Sequence, residues 1–203
     1  MYHMAEDGSL GGILRYGLLS TSALLDLFEV RGERREAIES ARRPESVVLK
    51  HPEHGRAVVR DNKPLGEKAL ARCLTDISPR EWYRTLNGRV FFWTEEARLV
   101  KLLGARAYRE RAHLVLVVDT ASLLARHAQS VSLSTINSGA TFPLGAPPRG
   151  SGTFRPLREF PLARPVVELT VDYAVPDVRD FILSVSRWRG GEKVGDVRWS
   201  GAR

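Results

Sequence analysis

One carboxylate inside an apolar, β-branched segment places the strongest constraint on how this chain can fold. The segment reads PVVELTVDY from Pro165 to Tyr173, and its β-branched residues predict a strand that contains Glu168. A buried carboxylate is costly unless it is paired or takes part in chemistry. Glu168 is therefore either the partner of an arginine, such as Arg164 or Arg60, or the chemical centre of the protein.

The length and apolar content of the chain bound its domain organisation. With 203 residues and 43% apolar content, the chain is long enough for one sizeable core, so a single domain is expected. No segment approaches the roughly 20 uninterrupted apolar residues of a membrane helix. The first residues lack the positive flank and apolar run of a signal peptide, and Cys73 is the single cysteine. These features predict a cytoplasmic protein with no membrane association.

Positive charge is concentrated in two segments. The net charge of +7 and the isoelectric point near 10 favour a polyanionic partner. Residues 142–165 hold four arginines and one acidic residue, and residues 187–203 hold five basic and two acidic residues. Each segment thus contributes +3 of the total +7. The alternative is a basic surface that only aids solubility.

Helix-capping signals and β-forming runs follow one another along the chain. A capping box, SPRE at 78–81, begins one helix with proline at its first position. The strongest β-forming run, RVFFW at 89–93, follows it, and a continuous apolar strand is expected at 113–119. A first strand at 2–4 precedes a short helix that is expected to end in a left-handed C-cap at Gly17.

The later part of the chain is predicted to be less regular. Residues 135–165 hold six of the eleven prolines, which cannot sustain a helix or a central strand. A loop of this length within a compact domain is more often functional than idle. Residues 188–203 have too little apolar content to fold alone, so a basic, flexible tail is expected after a single domain at 1–187.

Several catalytic and metal-binding motifs are absent from the sequence. It contains no phosphate-binding GxxxxGK[ST] loop, no GxGxxG after a strand and no GxSxG elbow. The five histidines and one cysteine do not form a zinc pattern. His51 and His54 lie three apart in a predicted exposed turn, where a solvated pair is favoured over a metal site. No metal is therefore expected.

A set of polar and aromatic residues remains, spread over separate segments. His3 lies on the first strand, Arg60 closes a hairpin, the aromatic run is at 91–93, and Glu168 follows the basic loop. A reaction at the glycosidic bond of a dinucleotide needs donors for ribose and pyrophosphate, an aromatic ring for nicotinamide, and a carboxylate near the developing oxocarbenium ion. The set matches these requirements.

Each of these residues also has a purely structural interpretation. His3 can bond a neighbouring carbonyl, and Arg60 can pair with Asp61 or Glu67. The aromatic run can belong to the core. Glu168 can lie in a buried salt bridge.

The order of the segments resembles the ADP-ribosyltransferase fold, and most closely the DarT-type enzymes that modify DNA bases. The opening strand and helix, with the GLL exit at 17–19, resemble the start of that fold. RVFFW at 89–93, the strand at 114–119 with the loop that contains Asn137, and VELTV at 167–171 with Val-Pro beyond it are similar to its later motifs. The layout is also similar to an uncharacterised bacterial family that opens with YHMAE and continues to GLLS.

The resemblance implies an α+β fold of split mixed or antiparallel sheets with peripheral helices. It implies that Glu168 is the catalytic glutamate, that His3 contacts the NAD ribose, and that Arg60 binds pyrophosphate or positions the acceptor. The implied NAD-binding residues are His3, Arg60, Phe92, Asn137 and Ser138. The family usually has Ser, Thr or Tyr on the middle strand, where this chain has Phe-Phe-Trp, so nicotinamide binding can differ or be lost.

The resemblance also implies NAD as substrate and a nucleic acid, with DNA first, as the acceptor. The basic loop would present the acceptor through Arg149, Arg155 and Arg158, which are otherwise solvated loop charges. A role as a toxin, with an antitoxin or regulatory partner, is a further expectation. Two alternatives stay open: a nucleic-acid-binding module without activity, and transfer to protein, a small molecule or the 2′-phosphate of RNA.

Overall fold

The computed structural model describes residues 1–141, 146–161 and 163–199, which form an α+β fold. The strands are β1 (Tyr2–Glu6), β2 (Leu18–Leu19), β3 (Val47–His51), β4 (Gly55–Val59), β5 (Arg89–Trp93), β6 (Ala112–Val118), β7 (Val131–Ser134), β8 (Arg155–Pro156), β9 (Glu168–Asp172), β10 (Ala174–Val175), β11 (Ile182–Arg189) and β12 (Glu192–Asp196). The α-helices are α1 (Leu10–Tyr16), α2 (Thr21–Leu27), α3 (Gly32–Glu39), α4 (Glu67–Cys73), α5 (Pro79–Asn87), α6 (Glu96–Leu103) and α7 (Thr120–His127). None of the helices in these ranges has the length and apolar content of a membrane span.

Eight strands form one antiparallel sheet in the order β12-β11-β6-β1-β5-β9-β7-β8. β1 lies in its interior, and consecutive residues Met4 and Ala5 are each 7% exposed. Because consecutive strand residues point to opposite faces, both faces of β1 are covered. The remaining pairs, β2 with β10 and β3 with β4, stand apart from this sheet.

The sheet opens between β1 and β5. Their ladder consists of a single pair, Tyr2 with Trp93. On its other side β1 pairs with β6 through all five residues, and β5 pairs with β9 through all five of its own. A gap therefore separates β1 from β5 beyond the Tyr2–Trp93 pair.

Alternate residues of β5 pack into different clusters on the two faces of the sheet. Phe92 belongs to the main core, to which α1 and α7 contribute. Phe91 packs against the cluster that contains Trp82 of α5, and Trp93 against the cluster that contains Leu99 of α6. β5 is thus held from both sides, which fixes the position of the residues along the gap.

Two sequence signals for helix ends are present in the structure. The Ser78 amide donates to the Glu81 carboxylate at 2.7 Å and the Glu81 amide to Ser78 Oγ at 3.3 Å, so the capping box is confirmed. Gly17 has the expected positive φ of 82°, but its ψ of −173° makes it extended rather than left-handed helical. The chain therefore leaves α1 directly into β2, which pairs with β10.

The C-terminal segment differs from the flexible tail expected from residue 188. β11 turns through Gly190 and Gly191 into β12, which pairs with it. Trp188 is 9% exposed, and Trp199 packs against the main core. The tail prediction is wrong for the described part of this segment, because distant tryptophan contacts supply the apolar burial that the local sequence lacks.

Candidate active site

A cleft of about 890 Å³ lies at the gap between β1 and β5. Its walls come from β1, α1, the chain around β4, β5, α6, the loop at 137–140 and the first residue of β9. The predicted residues that line it are His3, Arg60, Phe92, Asn137, Ser138 and Glu168. Five separate segments of the chain thus bring the predicted catalytic and NAD-binding residues to one cavity.

Glu168 begins β9 and is 4% exposed. Its two carboxylate oxygens each accept from the Ser138 amide at 3.2 Å, and it forms no salt bridge in the described ranges. Burial raises the pKa of the Glu168 carboxyl to about 7, while hydrogen bonds from Ser138 and the charge of Arg149 act in the opposite direction. The ion pair with Arg164 or Arg60 that the sequence allowed is therefore not formed, and Arg164 is exposed.

His3 occupies the gap in the sheet. Its Nδ1 lies 2.8 Å from the Phe91 carbonyl oxygen, and its ring centre lies 5.6 Å from that of Phe92. A carbonyl can only accept, so Nδ1 carries the proton and Nε2 is left as an acceptor. Burial lowers the pKa of His3 to about 4, which keeps the imidazole neutral at neutral pH. The structural interpretation of His3 as a carbonyl partner is confirmed, and the same residue lines the cleft.

Strand register places Glu168 and His3 towards opposite faces of the sheet. Glu168 pairs with Trp93, and Trp93 pairs with Tyr2, the residue before His3. Directly opposed residues share a face and successive residues alternate, so His3 points with Phe92 instead. Both side chains line one cleft because the sheet is open between β1 and β5.

Arg60 follows β4 and brings a cation that has no ion pair among the described residues to the cleft. Within the described residues its side chain makes no salt bridge or hydrogen bond, and its Nε is buried. The guanidinium carbon lies 5.1 Å from the ring centre of Tyr108, and burial lowers the pKa of Arg60. The alternative pairing with Asp61 is absent, since Asp61 accepts from the Tyr108 hydroxyl at 3.1 Å and lies 3.5 Å from Arg111.

Arg149 is a structural residue, and the prediction that it contacts nucleic acid is wrong. It is 2% exposed, and its Nη1 donates to the carbonyl oxygens of Ser138 and Ala140 at 2.9 Å each. Its guanidinium carbon also lies 5.9 Å from the ring centre of Trp82. Arg149 thus fixes the loop whose Ser138 amide holds Glu168.

The other two arginines of the predicted acceptor loop lie on the surface. Arg155 and Arg158 are exposed, and neither lines the cleft. Arg158 pairs with Glu159 at 3.2 Å. Residues 142–145 and 162 of that loop lie outside the described ranges. Nucleic-acid contact by Arg155 and Arg158 stays a prediction.

The sequence-based expectation of a solvated His51–His54 pair is wrong. The two imidazoles are stacked with ring centres 4.4 Å apart, and both are half-buried. His54 Nδ1 lies 3.0 Å from the Tyr16 hydroxyl, and both of these residues line the cleft. Phe28 packs edge-on against both histidines. Sequence reasoning missed this cluster because its contacts join α1, α2 and the β3–β4 hairpin.

Tyr108 is a second cleft residue that the sequence did not single out. It is 3% exposed, lies beneath Arg60, and donates its hydroxyl to Asp61. Burial, followed by the nearby Asp61 charge, raises the pKa of Tyr108 to about 12. The only signal in the sequence was one aromatic residue within a charged segment.

Comparison with known proteins finds a match to a family model. The model, described as a family of unknown function (DUF7002), matches residues 1–182. No curated protein and no solved structure matches. No group of three or more His, Cys, Asp or Glu residues that could hold a metal ion occurs among the described residues.

Proposed function

The chain belongs to the family of unknown function DUF7002, and we propose that it is an NAD-dependent ADP-ribosyltransferase that modifies a nucleic-acid base, with DNA as the first acceptor to test. One observation carries this proposal. The residues that the sequence singled out for glycosyl transfer from NAD line one cleft, although they come from five segments of the chain. The cleft volume of about 890 Å³ lies within the range of roughly 300–1,000 Å³ for small-molecule sites.

The chemistry of the cleft fits the parts of NAD. Arg60 offers a guanidinium without an ion pair or hydrogen bond among the described residues, which suits the two charges of a pyrophosphate. Neutral His3 has a free Nε2 acceptor for a ribose hydroxyl. Phe92 is 1% exposed and belongs to the main core, so its half-buried neighbours Phe91 and Trp93 offer the apolar surface for nicotinamide. The opening of the antiparallel sheet beside these residues supports an ADP-ribosyltransferase-like fold with split sheets.

Glu168 has the properties of a base that works near neutral pH. Its carboxylate would first hold the ribose hydroxyl as nicotinamide leaves with the electrons of the glycosidic bond. A nitrogen or oxygen of the acceptor base then bonds to the ribose carbon, and the proton that it releases passes to Glu168. With a pKa of about 7, Glu168 is half ionised near neutrality, so the transfer rate should rise with pH through that value.

The basic charge of the chain favours a nucleic acid as the acceptor. The net charge is +7, and two of the cleft arginines, Arg56 and Arg60, have no ion pair among the described residues. Phosphate contacts would make acceptor binding strongly salt-dependent. The positive charge of the chain and of its cleft thus supports a nucleic acid as the acceptor.

Intact-mass measurement tests the proposed reaction. The protein is incubated with NAD and mixed single-stranded DNA oligonucleotides, and a product heavier by one ADP-ribose is expected. Glu168→Ala should abolish that product, whereas Glu192→Ala, the same change at an exposed glutamate outside the cleft, should leave it. Oligonucleotides, RNA and protein acceptors that all keep their mass would reject the proposal. Salt-sensitive DNA binding without NAD binding would instead favour the inactive binding module.

A further inference from the structure

The β3–β4 hairpin carries two like charges at opposed positions. Lys50 pairs directly with Arg56 across the hairpin, both are exposed, and neither has an ion pair among the described residues. Like charges directly opposite each other on adjacent strands destabilise a sheet. Stability therefore gives no reason for this pair, whereas an anionic ligand would turn it into a favourable one.

Aromatic rings lie at the tip of the hairpin that carries these cations. The hairpin tip holds the stacked His51 and His54 rings, and the Tyr16 hydroxyl lies 3.0 Å from His54. The guanidinium carbon of Arg15 lies 4.9 Å from the Tyr16 ring centre. Tyr16, His54 and Arg56 also line the cleft that contains Glu168, so the cluster is continuous with the candidate site.

Positive charges outnumber negative charges around this cluster. The cations Arg15, Lys50 and Arg56 each lie within two residues of a ring-bearing residue along the chain, whereas the acidic side chains nearby are Glu53 in the turn and Glu29. Glu29 lies 3.7 Å from His51, so three cations stand against two carboxylates. The exposed balance at the hairpin tip is positive, which complements a phosphate backbone.

We propose that the β3–β4 hairpin is the acceptor-binding surface, where Lys50 and Arg56 hold the phosphates of a single-stranded nucleic acid and Tyr16 and His54 stack its base at the cleft. Cations that follow a backbone beside aromatic rings that receive bases are the usual means of binding single strands. This inference rests on the proposed function in taking the acceptor to be a nucleic acid. It assigns the acceptor to the hairpin in place of the proline-rich loop, whose Arg149 is buried.

Binding of a fluorescent single-stranded oligonucleotide tests the hairpin separately from catalysis. The measurement uses Glu168→Gln protein without NAD, so that it does not depend on transfer. Adding Lys50→Ala and Arg56→Ala should weaken binding by 10-fold or more and reduce the slope of log affinity against log salt by roughly 1.4, since each neutralised phosphate accounts for about 0.7. The matched control removes two exposed cations of α4 outside the cleft, Lys68→Ala and Arg72→Ala, and should change affinity less than 2-fold.

A second pair of variants tests stacking. His54→Ala should weaken binding about 10-fold, and His54→Phe, which keeps a flat ring, should restore most of it. Equal losses in the hairpin and α4 variants would overturn the proposal, because they would show dependence on net charge alone. Unchanged binding in the hairpin variant would also overturn it. If oligonucleotides bind through the hairpin but receive no ADP-ribose, the hairpin assignment stands and the proposed reaction fails.

Discussion

Glu168 and His3 have pKa values that are shifted in opposite directions for one reason. Burial favours the neutral form, so it raises the pKa of Glu168 to about 7 and lowers that of His3 to about 4. The favourable contribution of Glu168 to stability is complete below its unfolded value near 4.5 and is lost as the pH rises through 7. The contribution of His3 is present above its unfolded value near 6.5 and is lost as the pH falls through 4.

Replacing Glu168 with glutamine should stabilise the protein at high pH. The free energy of unfolding of Glu168→Gln relative to the native chain should rise between about pH 4.5 and 7, reach about 3 kcal/mol, and then stay constant. Urea unfolding at several pH values measures this difference. Glu192→Gln, at an exposed position, should show no such rise. A pH-independent difference for Glu168→Gln would contradict the raised pKa.

Arg60 is expected to bind NAD at the expense of the stability of the free protein. Arg60→Met removes a half-buried cation that has no ion pair or hydrogen bond among the described residues, so the melting temperature of the free protein should stay equal or rise. NAD at about 100 times its Kd should raise the melting temperature of the native protein by about 5–10 °C, and this increase should be lost in Arg60→Met. Arg60→Lys, which keeps the charge without the planar fork, should retain part of it. A full NAD-induced increase in Arg60→Met would separate Arg60 from the ligand.

At the scale of elements, the exit from α1 depends on close contact between two chain segments. Gly17 has a φ of 82°, and a Cβ atom there would lie 2.4 Å from both Pro176 Cα and the Val175 carbonyl oxygen. β2 and β10 pair immediately beside this contact. The GLL exit from α1 at 17–19 and the segment at 174–176 therefore meet at Gly17.

Substitution of Gly17 should be costly, and substitution of a nearby glycine should not. Gly17→Ala combines a forced backbone shift with a strained φ, so a loss of about 2–4 kcal/mol in unfolding free energy is expected. Gly11→Ala lies within α1 with open space at its Cβ, and should be neutral or slightly stabilising. Chemical denaturation compares the two variants. A Gly17→Ala protein as stable as Gly11→Ala would show that β10 can move away freely.

Local sequence signals predicted where helices and strands occur, but they did not predict which residues contact one another in the fold. The Ser78 capping box and the β5 run each depend on a pattern of a few consecutive residues, so both were predictable. The burial of Arg149 was not, because it depends on carbonyl groups of a loop about ten residues away and on Trp82 of α5. The position of His3 in a gap likewise depends on where β5 diverges from β1, which no local pattern encodes.

At the scale of the whole molecule, the family match and the fold end at different places. The match ends at residue 182, where β11 begins, yet β11 pairs along β6 in the interior of the sheet. β12 then covers the outer edge of β11. The last described residues thus complete a sheet whose central strands carry the candidate site. The sequence pattern did not predict that these residues belong to the sheet, because their apolar residues are few and widely spaced.

The C-terminal segment should contribute to global stability through its tryptophan. Trp199→Ala should lower the unfolding free energy by about 2 kcal/mol, because Trp199 packs against the main core. Val194→Ala, at a side chain that is 65% exposed on β12, should have little effect. Thermal unfolding measures both. Equal and small effects would return this segment to the status of a dispensable tail.

The central position of β1 also has a consequence for the order of events during synthesis. Its ladder with β6 joins Tyr2 to Val117, and its single pair with β5 joins Tyr2 to Trp93. At about 5–20 residues per second, a ribosome needs roughly 6–23 s to extend the chain from Tyr2 to Val117. β1 lacks its β6 partner for that time, and β9, which brings Glu168, follows later still. The cleft is therefore assembled late, after most of the polypeptide that encloses it has been made.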